Sequence, residues 1–212
     1  SWILAALSGA NAAANEHGAE LVAGDLASAP GPIALSVTAL GSVPLGARLV
    51  GRDRAEAGQV VVVSGPLGGS LESGRHLRPV PRIAEGIAIA AAGATAMMDV
   101  SDGLVWDLYR LARASEVVVE LEVAAVPVHP DAQGDSLSKA QQKALSDGED
   151  HELIATLQPA AWESFRATEA GSGWARIGSV TRTRNVAGTW LTLNDGVSTR
   201  VWSPSEPHGF RH

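Results

Sequence analysis

The sequence predicts a layered α/β or α+β fold, on three observations. Strand-like and helix-like segments alternate along most of the chain. Apolar residues make up 45% of the 212 positions while aromatics make up only 4%. Ala, Gly and Val fill the gap, and such small residues let helices lie close on strands. The run Val60-Val61-Val62-Val63 is a candidate for a buried strand.

Taken in order, Trp2 to His17 reads as a helix, with Ile3, Leu4, Leu7 and Ala14 roughly on one face and Gly18 as its stop. Glu20 to Ala23 reads as a short strand, and Ile33 to Val43 as a longer one with alternating apolar positions. Ala27 to Pro32 between them is a loop. A second unit begins near Leu49. Its expected order is a strand at 59–64, the Gly-rich turn Gly65 to Ser70, a helix from Pro81 or Arg82 to Ala92, a strand at 94–100 and a helix at 102–115. A strand at 117–121, a helix at 138–146, a strand at 151–157, a helix at 159–169 and strands at 175–180, 189–193 and 199–202 complete it. The chain starts inside an apolar helix with only Ser1 ahead of it. Such a helix needs a cover, supplied by upstream sequence or by another chain.

Composition narrows the chemistry. The formal charge is −7, from 23 acids against 16 Lys plus Arg. An acidic chain is a poor non-specific binder of nucleic acid, which needs clustered cations. The lysines are Lys139 and Lys143 alone, so an anion clamp must use Arg, backbone N–H groups or metal ions. Cysteine is absent, which excludes disulfides and thiolate metal sites and is compatible with a reducing cytoplasm. No apolar stretch reaches the roughly 18 residues of a membrane span. The apolar start lacks the cationic lead of a secretory signal.

Four segments carry candidate chemistry. In Met98-Asp99-Val100-Ser101-Asp102-Gly103-Leu104, two carboxylates flank a hydroxyl where a strand ends and a helix begins. Oxygen ligands so placed can hold Mg²⁺, and free N–H groups at the helix start can receive phosphate. Ordinary N-capping explains the same residues and, for the segment alone, explains them better. Gly65 to Ser70 can cradle phosphate through backbone N–H groups, yet it lacks the Gly-Lys-Ser/Thr of a nucleotide-binding P-loop and also reads as a tight turn. Ala23-Gly24-Asp25 is either a close-approach site for phosphate or a turn with an Asp cap. Gly148-Glu149-Asp150-His151-Glu152 is either a ligand-binding acidic cluster or a solvated turn. His151 has no second His at zinc-ligand spacing. His76 reads as a structural or phosphate-neighbouring residue rather than a catalytic base.

Together and in this order, these segments resemble the thiamine-monophosphate kinase family, within the superfamily of aminoimidazole ribonucleotide synthetase and selenophosphate synthetase. The resemblance also rests on Gly51-Arg52-Asp53-Arg54-Ala55, on Arg75-His76-Leu77-Arg78-Pro79-Val80-Pro81-Arg82 and on Gly209-Phe210-Arg211-His212. It implies that residues 1–48 are the tail of an N-terminal ATP/Mg-binding α/β domain. Residues 49–212 would form a complete C-terminal aminoimidazole ribonucleotide synthetase-like α/β domain. It implies that Asp25, Asp99 and Asp102 hold Mg²⁺, that Asp99 and Asp102 carry the catalysis, and that Gly24, Asp25, Arg52 and Ser101 meet the nucleotide. Gly148, Glu149 and Asp150 would border thiamine monophosphate, and Phe210 would offer an aromatic face to its ring. The implied reaction is phosphorylation of thiamine monophosphate by ATP, giving thiamine diphosphate, in a cytoplasmic homodimer. The family's Gly-Asp-Asp segment and two further Asp sites have no counterpart here. Ala23 stands for a usual Gly and His151 for a usual Tyr. A non-catalytic nucleotide-binding remnant and another ATP-dependent reaction, such as a cyclisation, are the rival readings. The 148–150 turn and Phe210 favour the kinase over the cyclisation.

Overall fold

The structure, a computed structural model, describes residues 2–28, 30–132, 137–183 and 188–205. It divides into two compact units, residues 1–42 and 43–212. In the first, helix α1 spans Trp2–Glu16 and has no buried residue. Gly18 ends it at a φ of 70°, and the Ala19 N–H turns back to the Ala14 carbonyl at 2.9 Å. A left-handed glycine after the last turn serves this purpose because it has no Cβ to clash. The strands expected at 20–23 and 33–43 do not form. Period-two patterning marks a chain fit to pair, but a strand needs a ladder partner, and no described residue supplies one. Leu21, Ile33, Leu35 and Val37 accordingly stay exposed.

The second unit is built on one seven-stranded sheet. Its strands are β1 (Val60–Val63), β2 (Ala96–Asp99), β3 (Val117–Glu122), β4 (Leu153–Leu157), β5 (Ala175–Thr183), β6 (Leu191–Asn194) and β7 (Thr199–Val201). They lie in the order β2-β4-β1-β5-β3-β6-β7. All described pairs are antiparallel except β3 with β6. The helices are α2 (Ser70–Ser73), α3 (Ile83–Ala91), α4 (Leu104–Ala114), α5 (Leu137–Ser146) and α6 (Pro159–Arg166).

Both faces of the sheet are covered, which explains the four consecutive valines of β1. Side chains alternate sides along a strand. Val61 and Val63 join one core with Leu108 and Leu111 of α4, Ile154 and Ile177. Val60 and Val62 join the other with Ile89 of α3, Trp162 and Phe165 of α6 and Trp174. Burying one such side chain contributes about 1.5–3 kcal/mol. Pairing then fixes where the loops gather. Val63 lies opposite Ile154, and Asp99 lies opposite Leu153. The C-terminal ends of β1 and β2 and the start of β4 therefore share one edge of the sheet.

Candidate functional site

The loop from β2 to α4 is held by a carboxylate inside the helix that follows it. Asp107 is fully buried. Its Oδ2 accepts the N–H groups of Ser101 and Asp102, both at 3.0 Å. Its Oδ1 accepts Arg110 Nη1 at 3.1 Å, and the same guanidinium nitrogen pairs with Asp102. Burial raises the Asp107 carboxyl to about 6, against the opposing pull of the two backbone N–H groups and Arg110. Gly103 has a φ of 106°. A Cβ there would meet the Ser146 carbonyl oxygen at the end of α5 at 2.8 Å. Glycine is thus required both by the left-handed backbone and by the approach of α5.

The acidic turn is sewn to this loop and to the Gly-rich turn. The Glu149 N–H donates to the Ser101 carbonyl at 2.8 Å, and the His151 N–H to the Val100 carbonyl at 2.9 Å. Glu149 and His151 hold positive φ values of 63° and 55°, uncommon for residues with a Cβ. On the other side, the Asp150 carboxylate accepts the Gly68 N–H at 2.9 and 3.0 Å and Arg75 Nη2 at 2.7 Å. Asp147 Oδ2 accepts the Gly69 N–H at 3.0 Å. Ser70 Oγ donates to the Glu149 carbonyl at 2.7 Å. Burial raises Asp150 to about 6 and also raises Asp147. Glu152 is buried as well, accepting Ser64 Oγ–H and Arg82 Nη2–H. A Cβ at Gly65 would sit 2.9 Å from that carboxylate.

The edge of the sheet thus brings together Asp99, Ser101, Asp102, Gly148, Glu149 and Asp150. Asp99 is exposed and Asp102 half-buried, whereas Gly148 is buried. Asp150 faces inward as a turn-builder. Gly65 to Ser70 gives its Gly68 and Gly69 N–H groups to protein carboxylates. Arg52 is held at the far end of α4: its carbonyl accepts Ser115 Oγ at 3.0 Å. Gly103 and Ser115 are a helix length apart, about 18 Å. Gly24 and Asp25 lie in exposed chain of the first unit, where Asp25 Oδ1 accepts the Leu26 N–H at 2.9 Å. Phe210 lies outside the described residues. His76 Nδ1 donates to the Ser70 carbonyl at 3.1 Å.

Among the described residues no three carboxylate or imidazole groups gather closely enough to hold a metal alone. The donors at the loop are all oxygen: Asp99, Asp102 and the Ser101 hydroxyl. That set suits Mg²⁺, which is ordinarily held by one or two carboxylates with substrate phosphates and waters completing its shell.

Asp107, Asp147, Arg75, Arg82 and Arg110 escaped the sequence reading as organisers. Asp107 carried a faint signal, three residues before Arg110 on one helix face. An acid in the first turn of a helix has a commoner explanation in the helix dipole. Asp147, Arg75 and Arg82 act across 70 residues or more, which spacing does not reveal.

Searched against models of protein families, the chain matches none. It is 34% identical over 204 residues to the thiamine-monophosphate kinase of Rhodopirellula baltica, covering 94% of this chain and 61% of that one. It is 38% identical over 174 residues to the thiamine-monophosphate kinase of Mycobacterium tuberculosis, covering 72% of this chain and 52% of that one. A solved structure of AaThiL complexed with AMPPCP and TMP superposes with a TM-score of 0.61 at 30% identity, over 78% of this chain and 54% of that one. The chain thus spans between half and two thirds of the length of these curated relatives.

Proposed function

The chain belongs to the thiamine-monophosphate kinase family, and on that premise we propose that the protein carrying it transfers the γ-phosphoryl group of ATP to thiamine monophosphate. The observation that supports this reading most is the 30% identity to a structure complexed with AMPPCP and TMP. It stands with the meeting of the 99–103 loop and the 148–152 turn at one edge of the sheet. An oxygen of the acceptor's phosphate forms a bond to the γ-phosphorus, the bond from that phosphorus to the bridging oxygen breaks, and ADP leaves with its electron pair.

Little covalent chemistry falls to the protein in such a transfer, so its residues act by placing groups and balancing charge. Asp99 and Asp102 would hold Mg²⁺, which neutralises phosphate charge when bound. Asp107 fixes the Ser101–Asp102 backbone by taking both N–H groups. Arg110 orients the Asp102 carboxylate. Glu149 borders the acceptor, its backbone fastened to the same loop at Ser101. Parts for Gly24, Asp25, Arg52, Gly148, Asp150 and Phe210 are proposed on the resemblance alone, as are cytoplasmic location and a homodimer. Among the described residues no helix is long and apolar enough to cross a membrane.

The test is product formation. The intact protein given ATP, Mg²⁺ and thiamine monophosphate should release thiamine diphosphate and ADP in equal amounts. ADP with inorganic phosphate and no thiamine diphosphate, or no turnover, overturns the reading.

A further inference from the structure

A small cavity of about 120 Å³ lies at the 149–152 turn, where Arg75, Arg78 and Arg82 meet Glu149, Asp150 and Glu152. Sites for drug-sized ligands begin near 300 Å³, so the space suits a single small group rather than a whole nucleotide. We propose that this cavity is an oxyanion subsite for one phosphate group of a phosphorylated ligand, with Arg78 as its free cation.

The argument rests on how the guanidinium groups are held. An Arg side chain has five N–H donors and no acceptor. Arg75 spends Nη2 on Asp150 at 2.7 Å and on the Gly68 carbonyl at 3.1 Å. Its Nη1 stands 3.9 Å from Asp131, beyond hydrogen-bond reach, and its buried Nε has no partner. Arg82 spends one donor on Glu152 and one on Glu85. The Asp150 side chain is fully buried and that of Glu152 is 7% exposed. These carboxylates line the cavity with the two arginines and hold the guanidinium groups in place. Planar, pre-oriented guanidinium groups are the side chains best matched to phosphate.

The charge balance then falls to Arg78. Arg75 pairs with Asp150 and Arg82 with Glu152, and Glu149 is a third carboxylate in the lining, so three arginines stand against three acids. Arg78 is exposed and makes no side-chain hydrogen bond or ion pair among the described residues. Arg78 is thus the lining guanidinium whose charge and donors no protein carboxylate among the described residues takes up. His129 is tied at Nδ1, which accepts the Asp131 N–H at 3.1 Å, so a proton it carries sits on Nε2. The cavity stands on its own geometry and not on the kinase reading. The phosphate it takes can belong to the donor nucleotide or to a phosphomonoester acceptor.

The experiment is a calorimetric titration of the whole chain with inorganic phosphate in EDTA, so that no metal contributes. Saturable binding is expected. Arg78→Ala should weaken it about tenfold, the loss of one charge-assisted hydrogen bond, and Arg78→Glu should abolish it, with circular dichroism unchanged. Asp102→Asn should leave phosphate affinity where it was, which separates this subsite from the loop assigned to the metal. Competition by ADP against competition by thiamine monophosphate, again in EDTA, distinguishes the two sources. No saturable binding, or binding indifferent to Arg78→Glu, overturns the subsite without touching the kinase reading. A failure of product formation alone leaves the subsite standing.

Discussion

Asp107→Asn isolates what a buried carboxylate does for the loop it holds. The substitution keeps shape and one acceptor oxygen, which can still receive the Ser101 and Asp102 N–H groups. It removes the negative charge beside Arg110. The Asp107 carboxyl is raised to about 6 from an ordinary 3.8, chiefly by burial. That gap corresponds to about 3 kcal/mol at 1.36 kcal/mol for each tenfold change in acidity. Its sign follows from proton counting. The folded chain keeps this proton up to about pH 6, and the unfolded chain releases it near 3.8. The folded state therefore binds more protons between those values, and stability from this group falls as pH rises across the window and is level above it. The Asp107→Asn variant lacks that slope. Stability measured by urea unfolding, followed by tryptophan fluorescence at a series of pH values, should show the variant gaining on the wild type between pH 4 and pH 7. The gain is about 3 kcal/mol at most. Asp150, raised in the same direction, is present in both proteins and cancels. A constant difference between the two proteins from pH 4 to pH 7 would refute the reasoning, since Asp107 would then titrate as an ordinary carboxylate.

Gly103→Ala should cost about 2 kcal/mol or more, because an L-residue is strained at positive φ and its Cβ meets the Ser146 carbonyl oxygen at 2.8 Å; thermal unfolding reads this directly, and an unchanged midpoint would show that α5 yields. Arg82→Ala leaves the Glu152 carboxylate buried without its cation. Loss of one partner from a buried pair costs about 3–5 kcal/mol, reduced here to about 2 kcal/mol because Ser64 still donates and the Arg82 side chain is 30% exposed. Arg82→Lys should recover part of that loss in the same denaturation assay.

The sequence was most legible where chemistry is local. The four valines of β1 announced a buried strand, and the two core clusters on opposite faces supply the reason. The helix behind Gly103 and the strand ahead of Asp99 stand within a few residues of their expected bounds. It was least legible where a partner decides the outcome. Residues 33–43 have strand-like alternation and no strand to pair with among the described residues, so pattern outran structure there. In the site, the carboxylates that looked ligand-like divide into two kinds. Asp99 is exposed and Asp102 is half-buried against Arg110, whereas Asp150 is turned inward to bind Gly68 and Arg75. Composition and spacing cannot separate these, because the distinction lies in contacts between residues some 80 positions apart. The Gly65 to Ser70 turn shows the same limit. It read as a phosphate cradle or as a tight turn, and Asp150 and Asp147 take its Gly68 and Gly69 N–H groups.

The central claim is that the loop from Asp99 to Gly103 is the metal and nucleotide centre of a phosphoryl transfer. Turnover of Asp102→Asn in the intact protein, measured as thiamine diphosphate formed with saturating ATP and Mg²⁺, tests it most directly. The substitution keeps the shape of the side chain and removes the charge that would face the metal. The account predicts a fall of roughly a hundredfold or more, the scale of losing one preorganised electrostatic group, with the unfolding midpoint unchanged. Turnover equal to that of the wild type would contradict it and leave Asp102 as a structural ion-pair partner of Arg110.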